Sequence, residues 1–394
     1  MNPPFRPGSR RAALVDGTQV LRVASHGSCG TAGPAVQVPA TTQTPSSYAQ
    51  PSRLCYTFVV HYDCLALPLP ERALISRIRH ASRAPLRLSK GHSVVVGIGD
   101  DASVLRIPKD QQILVTTDFS LEGVHFRREW HPPESVGHRC LARGLSDIAA
   151  MGGEPIAAFL SLAVPTTLPQ KWVDGFLKGL LTLAKRFNVK LAGGDTAESP
   201  GGVLADIVVI GTVGKVPTPV LRSGARPGDR IYVTGDLGGS AAALDELYSG
   251  RKAKQSPAQF RGHFFPEPRI AVGRAVREKQ IATSMIDLSD GLSTDLGHIC
   301  EDSKCGAEIR EGSLPLARVR KPPRQVDRKF ALHGGEDYEL LFTASPRTRV
   351  PPRIAGVPIR EIGVITRGTK RTLITARGAT AFEPQGWEHF RTLV

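Results

Sequence analysis

Aspartates recur at five places where a predicted strand or a glycine turn ends. These segments are Gly99-Asp100-Asp101, Thr116-Thr117-Asp118, Ser146-Asp147, Gly193-Gly194-Asp195 and Asp287-Leu288-Ser289-Asp290-Gly291. In α/β proteins the loops beyond the strand ends are where ligands bind. Carboxylates that meet there repel one another unless cations lie between them, and oxygen ligands of this kind suit Mg²⁺ together with substrate phosphates. The five segments together therefore favour a metal–phosphate site.

Each segment alone is better explained as a turn, because Asp caps helices and tolerates turn geometry. The sequence contains no P-loop, no protein-kinase motif set, no nucleophile elbow and no zinc-ligand spacing. The stretch Gly235-Asp236-Leu237-Gly238-Gly239 could hold a phosphate before a helix, but a plain strand–helix turn explains it better. The aspartates thus remain the main functional signal.

The composition indicates a cytoplasmic enzyme of two domains. The chain has 394 residues, 41% hydrophobic and 22% charged, with a net charge of +15. Six cysteines without a CxxC spacing do not form a disulfide framework, and no apolar stretch approaches the ~20 residues of a membrane span. Since no basic stripe is interleaved with aromatic residues, we expect small polyphosphates rather than nucleic acid as the anionic partner.

Three segments differ in character along the chain. Residues 1–70 are rich in Ser, Thr, Pro, Gln and Arg, which fits a transit peptide, a disordered tail or a wrongly assigned start codon. We favour a disordered extension without function. Residues 71–213 and 214–394 each alternate strands and helices, which predicts two α/β domains separated by a seam rich in Pro, Gly and Arg.

The predicted elements would position the aspartates as follows. A strand over 111–117 ends at Asp118, and a helix over 134–151 carries Asp147. A short strand over 189–192 precedes Gly194 and Asp195, and a strand over 283–287 ends at Asp287.

Longer motifs in the same order resemble the thiamine-monophosphate kinase family across roughly residues 71–394. The motifs are Gly97-Ile98-Gly99-Asp100-Asp101-Ala102, Thr116-Thr117-Asp118, Leu121-Glu122-Gly123-Val124-His125-Phe126, Leu145-Ser146-Asp147-Ile148-Ala149-Ala150-Met151-Gly152, Gly193-Gly194-Asp195-Thr196, Arg222-Ser223-Gly224-Ala225-Arg226-Pro227-Gly228-Asp229, Ile286-Asp287-Leu288-Ser289-Asp290-Gly291-Leu292, Gly334-Gly335-Glu336-Asp337-Tyr338-Glu339-Leu340 and Gly386-Trp387-Glu388-His389-Phe390. Any one of them is shared with aminoimidazole-ribonucleotide synthetase, selenophosphate synthetase and the hydrogenase-maturation dehydratase.

The resemblance implies transfer of a phosphoryl group from ATP to thiamine monophosphate, which gives thiamine diphosphate. It also implies a two-domain aminoimidazole-ribonucleotide synthetase-like fold, several Mg²⁺ ions, and a homodimer whose N-terminal domains pair through their sheets. The residue roles it implies fall into three groups. The Mg²⁺ ligands would be Asp101, Thr116, Thr117, Asp118, Asp147, Asp195, Asp287 and Asp290, the ATP contacts Gly194, Asp195, Arg222 and Ser289, and the substrate contacts His125, Glu336 and Trp387.

Simple chemistry agrees with these roles. The attacking oxygen belongs to a phosphate with a second pKa of about 6, so it is already ionised and needs no general base. Catalysis then consists of positioning and charge neutralisation. Arg222 offers a planar fork for phosphate oxygens, and Trp387 an aromatic face for the cationic thiazolium ring. Without the resemblance, His125, Glu336 and Trp387 would be interpreted as structural residues. One departure is Thr196-Ala197-Glu198, where the family more often has Thr-Arg.

Two rival hypotheses stay open. One is another ATP-using member of the superfamily; against the selenophosphate synthetase type, Cys64 lies outside any matching glycine-rich loop, and His125 with Trp387 speaks against the aminoimidazole-ribonucleotide synthetase type. The other is a catalytically silent nucleotide-binding protein, which the complete set of acidic residues argues against.

Overall fold

The computed structural model describes residues 69, 71–82, 93–96, 98, 102–249, 257–319 and 323–388. The predicted extension 1–70 lies outside these residues apart from Leu69, and so does the proposed ligand Asp101. None of the described helices is both long and apolar enough to cross a membrane.

The N-terminal half is built on a four-stranded sheet. Its elements are α1 (Glu71–Ala81), β1 (Ser93–Val96), β2 (Val104–Arg106), β3 (Gln111–Leu121), α2 (Pro133–Ala150), β4 (Glu154–Val164), α3 (Gln170–Arg186), β5 (Lys190–Glu198) and β6 (Leu204–Gly214). The strand order is β3-β6-β4-β5, where only β4 and β5 run parallel. Strands β1 and β2 form a separate antiparallel pair.

Helices α2 and α3 cover one face of this sheet and enclose its core. Leu141 and Phe176 are fully buried between the helices and the strands. The two helices pack closely because glycine occupies their contact positions. A Cβ atom on Gly137 would lie 1.9 Å from the carbonyl oxygen of Phe176, and one on Gly179 would lie 1.9 Å from that of Glu134.

The opposite face of the sheet carries an apolar row at its edge strand. Ile113, Val115 and Phe119 of β3 are 55%, 64% and 55% exposed, whereas Leu114 between them is buried. Strand β3 alternates in this way because successive side chains point to opposite faces.

The C-terminal half contains a larger mixed sheet. Its elements are β7 (Arg230–Thr234), α4 (Gly239–Tyr248), α5 (Arg261–Phe264), α6 (Ile270–Glu278), β8 (Ser284–Asp287), α7 (Leu292–Ser303), β9 (Gly306–Arg310), β10 (Arg318–Val319), β11 (Arg324–Gln325), α8 (Arg328–His333), β12 (Leu340–Ala344), β13 (Arg353–Ile354), β14 (Val357–Thr366), β15 (Arg371–Thr375) and β16 (Gly378–Ala381). The order is β16-β15-β9-β14-β7-β12-β8, with β13 paired to β14.

Helix α2 joins the two halves. It packs against α6, where a Cβ on Gly273 would lie 1.9 Å from the carbonyl oxygen of Ala149. It also contacts β8, and the Ser146 hydroxyl donates to Asp287 Oδ2 at 2.7 Å. One helix therefore carries side chains from the N-terminal half to the last residue of a C-terminal strand.

Two predicted strand ends are wrong, and both affect the site. Strand β3 continues to Leu121, so Asp118 lies inside a strand rather than after one. Strand β5 continues through Gly194 and Asp195 to Glu198. Only glycine fits at position 194, since its φ is +144° and a Cβ atom there would lie 1.9 Å from the Leu160 carbonyl oxygen. With glycine at this position the strand continues without a break. The aspartates are therefore gathered by sheet faces and a helix, and not only by loops.

Candidate active site

Three carboxylates from different elements meet where the two halves touch. Asp118 comes from β3, Asp147 from α2 and Asp287 from the end of β8. The Thr116 hydroxyl donates to Asp147 Oδ2. The structure thus brings together four of the eight predicted metal ligands; we call Asp118, Asp147 and Asp287 the acidic junction.

The acidic junction carries more negative charge than its surroundings balance. Burial, the Asp147 charge and the hydrogen bond with Asp147 raise the pKa of Asp118 to about 7. Burial and the charges of Asp147 and Asp118 raise the pKa of Asp287 to about 8. Burial also raises the pKa of Asp147, although the Thr116 hydrogen bond and the Arg222 charge act against this. Such raised values indicate a place where a cation is favoured.

Two other predicted ligands lie on the opposite face of the N-terminal sheet. The Thr117 hydroxyl donates to Asp206 Oδ1 at 2.8 Å. Asp206 is in register with Ser161, which is in register with Asp195, so the three side chains share a face with Thr117. Thr117 and Asp195 are exposed there. The predicted Thr116-Thr117-Asp118 trio is therefore divided between two faces.

Sequence reasoning missed Asp206. It stands in a strand that otherwise reads as apolar, and an acidic residue at one position of such a strand is the signal that could have found it. Its charge contributes to the raised pKa of Asp118 across the sheet.

The turn after β8 holds the last predicted ligand, Asp290, and the predicted ATP contact Ser289. Asp295 Oδ2 accepts from the backbone N–H groups of Asp290 and Gly291 at 3.2 and 2.9 Å. One ligand atom each from Asp290, Asp295 and His298 lie within 4.8 Å of one another. The turn is thus fixed by Asp295, a buried residue that the sequence analysis did not name.

Glu336 is held by two arginines of α2. Arg139 Nη2 and Arg143 Nη2 each donate to its Oε1 at 2.7 Å. Burial alone would raise the pKa of Glu336, but the charges of Arg139 and Arg143 and the Arg139 hydrogen bond outweigh it, so its pKa lies well below the usual range. The predicted substrate contact is therefore an ionised carboxylate. The sequence analysis did not name the arginines, although Arg139, Arg143 and Asp147 follow one another at intervals of four residues on one helix, which places them on one face.

The other two predicted substrate contacts lie at different places around the site. His125 Nδ1 accepts from the Leu121 N–H at 3.0 Å, and the His125 carbonyl oxygen accepts from Arg139 Nη2 at 3.3 Å. Trp387 is 51% exposed, and its backbone N–H donates to the Asp290 carbonyl at 3.0 Å. His125 thus borders the Glu336 cluster, and Trp387 borders the Asp290 turn.

A largely apolar cavity of about 550 Å³ adjoins Gly194 and Asp195. Ile75 and Ile78 of α1 and Phe159 of β4 are among the side chains that line it. The cavity gives the predicted ATP contacts Gly194 and Asp195 an apolar neighbour large enough for a heterocyclic base.

Two protein-family models match the chain. The model described as AIR synthase related protein, N-terminal domain, matches residues 99–215, and the model for the C-terminal domain of the same proteins matches residues 226–374. The match runs through both halves that α2 joins, and it confirms the mixed α/β fold of two domains.

Individual relatives are similar over most of their length. The thiamine-monophosphate kinase of Escherichia coli (strain K12) is 38% identical over 311 residues, which are 76% of this chain and 93% of the relative. The crystal structure of thiamine-monophosphate kinase from Stenotrophomonas maltophilia K279a is 33% identical with a TM-score of 0.65, over 76% of this chain and 95% of that one. The structure of AaThiL complexed with AMPPCP and TMP is 30% identical with a TM-score of 0.64, and the match covers 81% of this chain and 97% of that one.

Proposed function

The chain belongs to the thiamine-monophosphate kinase family, and we propose that it transfers the γ-phosphoryl group of ATP to thiamine monophosphate. The observation that carries this proposal is the acidic junction, where Asp118, Asp147 and Asp287 meet from both halves of the chain. A relative solved with AMPPCP and TMP supports both substrates. The product is thiamine diphosphate.

The residues of the site fit Mg²⁺. The acidic junction offers buried and half-buried carboxylates whose pKa values are raised by burial and by the charges of their neighbours, and carboxylate oxygens are ligands that Mg²⁺ prefers. Thr116 and the acidic junction would hold Mg²⁺ on the sheet face that α2 covers. Thr117 and Asp195 would hold it on the opposite face, which we call the open face. Asp290 would be a ligand in the turn after β8, and Asp101 is proposed from the resemblance alone. Mg²⁺ held by these residues would neutralise the charge of the phosphates.

The proposed nucleotide contacts surround the ATP phosphates and base. The cavity beside Gly194 and Asp195 would take the adenine ring. Arg222 lies close enough to Asp147 and Asp287 for its charge to lower their pKa values. From there its guanidinium would reach phosphate oxygens, and Ser289 would contact them from the turn.

The proposed acceptor contacts provide an anion for a cationic substrate. Glu336 is ionised throughout the physiological pH range and would face the positively charged half of thiamine monophosphate. Trp387 offers an exposed ring for the thiazolium. His125 lies beside Glu336 and its arginines, since its carbonyl oxygen accepts from Arg139. Since the attacking phosphate oxygen is already ionised, the chain's residues orient the two phosphates and exclude water rather than remove a proton.

We propose a homodimer in which the open faces of two N-terminal sheets meet. The exposed row of Ile113, Val115 and Phe119 on the edge strand supports this, because apolar rows on an edge strand commonly mark an interface. A cytoplasmic location is supported by the free thiols of Cys140, Cys300 and Cys305.

The dimer is tested by Val115→Lys. A charge in the middle of the apolar row should convert the protein to a monomer in size-exclusion chromatography with light scattering, while the circular dichroism spectrum shows that the monomer is folded. Val216→Lys is the control, because Val216 is 87% exposed and outside the sheet face. A dimer that persists in Val115→Lys, or a parent protein that is monomeric, would contradict the proposed interface.

The activity is tested with purified protein, ATP, Mg²⁺ and thiamine monophosphate, with the products separated by chromatography. We expect Mg²⁺-dependent thiamine diphosphate, and none from unphosphorylated thiamine in place of the monophosphate. ATP hydrolysis without thiamine diphosphate would favour another reaction of the superfamily. ATP binding without turnover of any acceptor would favour the silent nucleotide-binding alternative.

A further inference from the structure

Two buried arginines act on one oxygen of Glu336. The Arg139 and Arg143 side chains are 4% and 11% exposed, and that of Glu336 is 22% exposed. Both guanidinium groups donate to Oε1. Within the part of the chain that the structure describes, Oε2 accepts no hydrogen bond. The carboxylate therefore has one oxygen fixed and one oxygen available.

Each arginine is fixed by a second hydrogen bond from its other terminal nitrogen. Arg143 Nη1 donates to the Phe119 carbonyl at 2.8 Å, which ties the guanidinium to β3. Arg139 Nη1 donates to the His263 carbonyl at 2.7 Å. The planar guanidinium suits this bridging, since its nitrogens point in fixed directions. The direction of the Glu336 carboxylate is thus set from two sides.

The backbone of Glu336 is fixed as well. Its φ of +65° lies in the left-handed region, and its N–H donates to the Ser289 carbonyl at 2.8 Å. Hydrogen bonds therefore fix both the main chain and Oε1 of Glu336, and Oε2 is the atom that can bind a ligand. Two guanidinium groups also compensate a half-buried carboxylate that would otherwise be costly to keep charged.

Building on the proposed function, we propose that Arg143, together with Arg139, is a positioning residue for thiamine monophosphate. It turns Oε1 of Glu336 inward and presents Oε2 to the cationic half of the substrate. Arg143 itself does not touch the substrate. Its contribution is to acceptor recognition, whereas the proposed adenine site lies elsewhere, beside Gly194 and Asp195.

The test is the steady-state kinetics of Arg143→Met and Arg143→Lys. Loss of one of two charge-assisted hydrogen bonds should raise KM for thiamine monophosphate by about tenfold or more and leave KM for ATP within about twofold. Lys keeps the charge but cannot bridge Phe119 and Glu336 in the same way, so an intermediate KM is expected. Arg274→Met is the matched control, because Arg274 pairs with Glu154 at the surface and should leave both KM values unchanged.

The outcomes separate this inference from the proposed function. If the parent protein forms no thiamine diphosphate, the proposed function is overturned and the inference falls with it. If the parent is active but both Arg143 variants keep its KM for thiamine monophosphate, only the inference is overturned. Equal rises in both KM values would assign Arg143 a structural role and also overturn it. Should Arg143→Met fail to fold, Arg143→Lys decides.

Discussion

Replacement of Asp147 by Asn is expected to lower kcat by a factor of about a hundred to a thousand while the protein stays folded. The reason is electrostatic, since Asp147 would hold part of the Mg²⁺ charge that neutralises the reacting phosphates, and losing one such contribution commonly costs this much. Asn keeps the shape of the side chain and can still accept from the Thr116 hydroxyl. The same loss is expected for Asp118→Asn, and Ala at either position should abolish turnover.

A folded but inactive variant is expected because the carboxylates of the acidic junction oppose one another. Without metal, Asp147→Asn removes one charge from a group whose pKa values are raised by burial and by mutual repulsion, so its melting temperature at about pH 8 should equal or exceed that of the parent. Asp174→Asn, at a surface ion pair with Arg77, is the control and should keep full activity. Parent-like turnover in Asp147→Asn would contradict the metal assignment.

Stability should depend on pH and Mg²⁺ together. Asp118 and Asp287 have folded pKa values of about 7 and 8, above their unfolded values of about 4. Their stabilising contribution is complete below the unfolded pKa and is lost as the pH rises through the folded pKa. The metal-free protein should therefore lose on the order of several kcal/mol of unfolding free energy as the pH rises from about 4 to about 8.5.

His131, at the junction of the halves, affects the unfolding free energy at lower pH than the carboxylates do. Burial and the Arg139 charge lower the pKa of His131 to about 4, so its contribution is complete above about pH 6.5 and is lost as the pH falls towards 4. In the part of the chain that the structure describes, the pKa values given between about 6.5 and 8.5 belong to carboxylates, namely Asp118, Asp287 and Asp337, whose pKa burial raises to about 7. Melting temperatures in this window, with and without Mg²⁺, separate the two effects.

Mg²⁺ should raise the melting temperature far more at about pH 8.5 than at about pH 6.5, because protons and metal compete for the same carboxylates. In Asp287→Asn the Mg²⁺ effect should shrink at both values. A Mg²⁺ shift that is equal at both pH values, or absent, would show that the acidic junction does not hold the ion.

The sequence predicted most helices and strands, and it pointed to the four residues that the structure brings together, Thr116, Asp118, Asp147 and Asp287. It did not predict which elements hold them side by side. Strand β7 matches the predicted range, and the helix bearing Asp147 differs by one residue at each end. The sequence predicts Asp118 and Asp195 just after strands, because polar residues and glycine are typical of strand ends. The structure places both within strands, since the hydrogen-bonded ladder continues through them.

Strand β9 and helix α8 were not predicted, and neither were contacts between distant parts of the chain. Ser146 meets Asp287 across 141 positions of sequence, and Arg143 meets Glu336 across 193. The hydrophobic periodicity of the sequence does not predict these contacts, because they depend on how α2 packs against the C-terminal half. Arg143 looked like an ordinary helix residue, and Asp206 like part of an apolar strand. Both were found only when sheet register and helix packing placed them beside residues already under consideration.

The most direct test of the account uses ATP labelled in its γ-phosphate. The parent protein is incubated with labelled ATP, Mg²⁺ and thiamine monophosphate, quenched, and separated into protein and small molecules. Direct transfer at the acidic junction predicts label in the terminal phosphate of thiamine diphosphate, in equal amount to the ADP formed, with none on the protein. Label bound to the protein, or released as inorganic phosphate without thiamine diphosphate, would contradict the account.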